Sequence, residues 1–86
     1  MSSGNIIKNP LSTEKAIHLL EEGGWLVFVV ERKAKKPEIK KAIEEMYNVK
    51  VARLNTLITN KGAKRAYVKL SDKDSAMDLA TRLGMM

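Results

Sequence analysis

Hydrophobic positions recur along this 86-residue chain with two alternating periods. Trp25-Leu26-Val27-Phe28-Val29-Val30 is an unbroken apolar run. Both of its alternating faces are apolar, which predicts a central strand covered on both sides. Downstream, Ile39, Ala42, Ile43, Met46 and Tyr47 fall at i, i+3, i+4, i+7 and i+8, one face of a helix. Pro37 suits the first turn of that helix. Lys40 with Glu44, and Lys41 with Glu45, form i,i+4 pairs on its outer face. An earlier stripe, Ala16, Ile17 and Leu20, predicts a first helix. Ser12 or Thr13 can cap it, Glu14 complements its dipole, and Gly23-Gly24 ends it. Ala76, Leu79, Ala80 and Leu83 mark a last helix, with Ser71 as cap, Asp72 and Asp74 in the first turn, and Gly84 as stop.

Period two governs the rest. Val49 to Thr59 reads as one long strand whose apolar parity changes midway. Val49 and Val51 share one phase, Leu54 and Ile58 the other, which predicts a bulge near Ala52-Arg53. Asn60-Lys61-Gly62 is a turn signal. Lys64 to Leu70 returns as a strand with Ala66, Val68 and Leu70 on one face and Arg65, Tyr67 and Lys69 on the other. Asn5 to Lys8 is expected as a short edge strand on Ile6 and Ile7, followed by a turn at Asn9-Pro10. The order (β)-α-β-α-β-β-α predicts an α+β fold of the ferredoxin-like split β-α-β kind. Its sheet should be mainly antiparallel, three- to four-stranded and packed with helices, with the strand from Lys64 between the other two long ones. Residues 1–5 are expected as an N-terminal tail and 6–86 as a single domain.

Charge adds a partner to this picture. Sixteen Lys and Arg oppose ten acids, giving a formal charge of +6 and a pI near 9.7. That balance favours a polyanionic partner. The acids lie mainly on helices, but the bases do not mirror them. Between Lys50 and Leu70 stand six bases and no acid, and between Arg32 and Lys36 four more and again no acid. The helix after Pro37 joins two strands that should run parallel. The segment after Val30 and the hairpin tip at Asn60 then meet at one end of the sheet. Solvation accounts for any single lysine; the joint cluster points to RNA.

The catalytic inventory is thin. The absence of Cys excludes disulfides, thiolate nucleophiles and cysteine zinc sites. His18 is the sole histidine. No Gly-rich phosphate loop follows a strand. No enzyme activity, metal, cofactor or small-molecule substrate is expected. The apolar run from Trp25 is too short to span a bilayer, so no membrane insertion is expected, and no secretory leader is legible.

Three segments carry a resemblance. Asn9-Pro10-Leu11-Ser12-Thr13-Glu14-Lys15-Ala16 resembles the Pro-x-x-(Ser/Thr)-Glu-Lys-Ala signature of the universal large-subunit ribosomal protein L-twenty-three family. Val51-Ala52-Arg53-Leu54-Asn55-Thr56-Leu57 is similar to that family's Val-x-x-(Val/Leu)-Asn-Thr-Leu. Lys64-Arg65-Ala66-Tyr67-Val68-Lys69-Leu70 is similar to its Lys-(Lys/Arg)-Ala-Tyr-Val-x-Leu. The three stand in the family's order. The resemblance implies a cytoplasmic, ribosomal location beside the polypeptide exit tunnel, bound to large-subunit ribosomal RNA. It further implies a neighbour of the L-twenty-nine family and a docking platform for nascent-chain factors, with the family's acidic docking residue at Glu14. Bacterial members carry a long hairpin extension. Here Asn60 to Ala63 alone join Thr59 to Lys64, which resembles archaeal members and favours the signal recognition particle over trigger factor.

Residue roles follow as expectations. Lys33, Lys35, Lys36, Lys61, Lys64 and Arg65 should neutralise phosphates. Arg53, Asn55, Thr56 and Tyr67 should fix the register, Tyr67 by stacking on an unpaired base, Asn55 and Thr56 by hydrogen bonds to bases or 2′-hydroxyls. Thr13 and Lys15 should add contacts near the first helix. Glu14, His18 and Glu21, with Glu22, would form a factor-docking face. The rivals are a docking module whose charge merely keeps it soluble, and a small phosphate-ester or acyl-phosphate hydrolase permitted by fold analogy alone.

Overall fold

The apolar run from Trp25 forms the strand around which the molecule is built. In the computed structural model, which describes residues 6–84, it is β2 (Trp25–Val30). The other strands are β1 (Ile7–Pro10), β3 (Val51–Ile58) and β4 (Lys64–Leu70). The helices are α1 (Glu14–Gly23), α2 (Lys36–Tyr47) and α3 (Lys73–Arg82). Among the described residues the sheet has four strands in the order β1-β2-β4-β3, each neighbouring pair antiparallel. Both β2 and β3 are antiparallel to β4, so they run parallel to each other, joined by α2 with β4 inserted between them. This is the expected split β-α-β arrangement in its four-strand form.

One face of the sheet is the core. Leu26, Phe28 and Val30 of β2, with Ala66, Val68 and Leu70 of β4, pack with Ile39, Ala42 and Ile43 of α2 and Ala76, Leu79 and Ala80 of α3. Phe28 is fully buried and stacks on Tyr47, ring centroids 5.7 Å apart. Burial raises the Tyr47 phenol above its ordinary pKa. Helix α1 packs against β2 and α3 and sends Leu20 into the same core. Of the expected α2 stripe, Met46 departs: it is 42% exposed, past the edge of the packed surface.

The bulge falls where the change of parity places it. Val51 faces Leu70 and Arg53 faces Lys69, so two steps on β3 oppose one on β4. The Glu44 carboxylate accepts a hydrogen bond from the Val51 N–H at 3.0 Å, fastening α2 to the start of β3. Of the two candidate caps for α1, Thr13 serves: its hydroxyl accepts from the Ala16 N–H. Gly24 closes α1 at φ 71, a left-handed conformation that favours glycine.

Two local expectations are corrected. Asn9-Pro10 is not a turn but the end of β1, paired with Val29 and Phe28. β1 is an edge strand, where the missing proline N–H leaves no ladder position empty. Asn5, the first residue of the expected strand, and the tail at 1–5 lie outside the described residues. The cap of α3 is Asp72, not Ser71: its carboxylate accepts from the Asp74 N–H at 3.1 Å and from the Ser75 hydroxyl at 3.3 Å.

Candidate nucleic-acid interface

Strand register decides which side chains share the face opposite the core. Pairing across β2, β4 and β3 produces three rows: Trp25–Lys69–Arg53, Val27–Tyr67–Asn55 and Val29–Arg65–Leu57. Successive side chains on a strand alternate faces, so these rows line one surface. Only Val27 among the β2 members is buried, at 2% exposure; Trp25 and Val29 are half-buried. The expectation that β2 is covered on both sides therefore holds at Val27 and fails towards its ends.

Helix α1 borders this open face. Its Lys15 and Leu19, one turn apart, join Trp25, Asn55 and Tyr67 in lining a shallow groove of about 340 Å³. The Thr13 cap fixes the turn that presents Lys15. Lys69 extends its ammonium over the Trp25 ring, 5.9 Å from the centroid, within cation–π range. The groove thus has apolar and aromatic surfaces, a basic margin and one side-chain amide.

A second basic surface lies at the end of the sheet where β2 stops and β4 begins. The Lys64 ammonium donates to the Ala34 carbonyl at 2.6 Å, tying the loop before α2 to the hairpin. The Arg32 guanidinium stands 3.4 Å from where a β-carbon on Gly62 would lie. Lys33, Lys35, Lys36 and Lys61 are all exposed here. Glu38 accepts from the backbone N–H of Lys35, leaving the ammonium unengaged by that contact. The two sequence clusters are thereby one spatial patch, continuous through Arg65 with the open face.

The remaining expected residues distribute unevenly. Arg53, Asn55, Arg65 and Tyr67 share the open face, and Lys15 joins them. Thr56 does not: it pairs with Ala66, whose side chain lies in the core, and so points to the helix-covered side. The Thr13 hydroxyl and the Lys64 ammonium already have intramolecular partners. Glu14, His18 and Glu21 are exposed at i, i+4 and i+7 on α1, on a stripe that adjoins Lys15: Glu14, Lys15 and His18 line one shallow surface depression together with Thr13. His18 pairs through Nε2 with Glu22 at 3.2 Å. Leu19 and Trp25 escaped the sequence reading, whereas Arg32 and Lys69 were counted in its basic clusters without being given a contact. The shared parity of Trp25, Val27 and Val29 was the available signal, but it needs the β2–β4 register to become a surface. Among the described residues no group of three or more His, Asp or Glu gathers as a metal site would require, and no helix is long and apolar enough to cross a membrane.

The amino-acid sequence is similar to known proteins of one family. The family model described as Ribosomal protein L23 matches residues 5–78. The "Large ribosomal subunit protein uL23" of the archaeon Methanococcus vannielii is 48% identical over 85 residues, covering 99% of both chains. The protein of the same description from Methanococcus aeolicus is 45% identical over the same span and coverage.

Proposed function

Since the chain belongs to the ribosomal protein L23 family, we propose that it is a structural, non-catalytic constituent of the large ribosomal subunit in the cytoplasm, binding that subunit's RNA beside the polypeptide exit tunnel. One observation carries the reading. Two basic segments, separated in sequence by α2, are joined at one end of the sheet by the Lys64–Ala34 hydrogen bond and the approach of Arg32 to Gly62. Phosphate contacts of this kind need basic side chains at fixed positions on a rigid support, and the central strands supply the support.

The phosphate-facing groups are Lys33, Lys35, Lys36, Lys61 and Arg65, with Arg32 added. Lys64 acts first as a structural tie. If about six phosphates are neutralised, affinity for a large-subunit ribosomal RNA fragment should fall with salt at a log–log slope of roughly −4. Lys61→Glu with Arg65→Glu should lower affinity at least tenfold and flatten that slope, with an unchanged circular dichroism spectrum. Unchanged binding in the double variant, or complete competition by transfer RNA, would remove the specific RNA role.

The reading extends to the ribosomal neighbourhood. The partners proposed are a protein of the L29 family and, at the exposed face of α1, the signal recognition particle. The short hairpin supports this choice: Thr59 and Ala63 close it with a backbone hydrogen bond of 2.8 Å, leaving no extension to enter the tunnel.

A further inference from the structure

The groove between α1 and the open sheet face is not explained by phosphate neutralisation. Phosphates need cations, whereas this groove presents an indole, a phenol ring and Leu19, with Lys15 and Asn55 at its margin. Apolar and aromatic surface left beside cations is suited to a ligand with a flat face and a charged tail. A paired base in an A-form duplex has both faces covered by its neighbours and offers none to a side chain. An unpaired nucleotide offers a face, a hydrogen-bonding edge and a phosphate together.

We propose that the groove lined by Lys15, Leu19, Trp25, Asn55 and Tyr67 binds one unpaired RNA nucleotide, its base stacked on Trp25 and Tyr67. Lys15 meets the phosphate, and the Asn55 amide donates to and accepts from the base edge. This rests on the RNA-binding reading above and adds a single-strand subsite to it. Two features of the molecule prepare the indole. Lys69 lies over the ring and adds positive potential where an anionic ligand arrives. Gly23 leaves room at the end of α1: a β-carbon there would stand 2.8 Å from Trp25 Cδ1, a distance the ring would have to move to relieve. Asn55 reaches the groove because the bulge at Ala52 sets its parity to match Tyr67.

Trp25 is the sole tryptophan of the chain, so its emission reports the groove directly. The probes are the large-subunit RNA fragment, a mixed-sequence single-stranded hexanucleotide and a fully paired duplex. The fragment and the hexanucleotide should change Trp25 emission at saturation, and the duplex should not. Trp25→Leu should weaken fragment binding roughly five- to a hundred-fold, the range for losing one base–aromatic stack, while leaving the salt slope unchanged because no charge is lost. Asn55→Ala, on an exposed strand, gives a second variant that does not disturb the core, with a loss of roughly threefold to tenfold. If the fragment binds with its full salt slope but Trp25 emission stays constant and both variants bind normally, the nucleotide site is overturned and the RNA-binding role stands. Equal emission changes with duplex and single strand also overturn it, since proximity of charge then explains the signal. If the fragment does not bind at all, the RNA-binding reading itself fails.

Discussion

Tyr47 and Tyr67 show what position does to one side-chain type. Tyr67 lies on the open face beside Asn55, where its ring can meet a ligand. Tyr47 instead stacks on Phe28 at the end of α2, and burial raises its pKa above the ordinary 10. The raised value means that the folded state holds the phenol proton more tightly than the unfolded chain does. Stability from this source is therefore fully present below the unfolded pKa and declines as pH rises through the folded value. Alkaline titration from about pH 9 upward should lower the unfolding midpoint, and Tyr47→Phe should remove that part of the decline. A Tyr47→Phe variant with the same alkaline profile would show that another group governs it. Parity matters as much at single residues. Asn55 and Thr56 are neighbours, yet one faces the groove and the other the helices. The motif containing both could identify the strand but not which of the two is available.

At the scale of elements, what was legible in the sequence is what depends on local periodicity. The stripes of α1, α2 and α3 and the unbroken run of β2 each show in a short window, because burial on one helix face or on both strand faces leaves a period. The bulge in β3 was legible too, since Val51 and Leu54 break the alternation themselves. The extent of β1 was not. An edge strand four residues long carries too little pattern, and its pairing with β2 is a nonlocal fact. The cap of α3 was ambiguous for a different reason: Ser71 and Asp72 are both good caps, one position apart. The backbone decides, with Asp72 extended at φ −133 and ψ 125 and accepting from Asp74 and Ser75. Asp72→Ala should therefore cost about 1 kcal/mol in denaturant unfolding, and Ser71→Ala only a few tenths. The reverse ranking would place the start of α3 one residue earlier.

For the whole molecule, charge is divided between surfaces rather than spread over them. The open face and the adjoining sheet end carry ten of the sixteen bases, while the outer face of α1 carries Glu14, Glu21 and Glu22 around His18. The charge runs alone revealed the basic end, because two acid-free segments flank a helix whose connection fixes their meeting. They could not reveal the groove, whose members come from α1, β2, β3 and β4 and converge only in the fold. The acidic face borders the groove at Lys15, which has Glu14 and His18 on one side and Leu19 on the other. A chain held on RNA through its basic surfaces, Lys15 among them, leaves the exposed side chains of Glu14, His18 and Glu21 for a protein partner. The docking proposal is testable on its own because its charged residues are acidic and those of the RNA surfaces basic. Glu14→Ala should leave incorporation into large subunits unchanged, because a carboxylate neutralises no phosphate. Binding of the signal recognition particle to those subunits should fall about tenfold if the carboxylate accepts a charge-assisted hydrogen bond. Glu14→Gln would retain the acceptor and lose the charge, so partial recovery would point to geometry and no recovery to charge. Should incorporation fail instead, with recruitment to residual subunits intact, the outer face of α1 belongs to the RNA interface and the docking surface must be sought elsewhere.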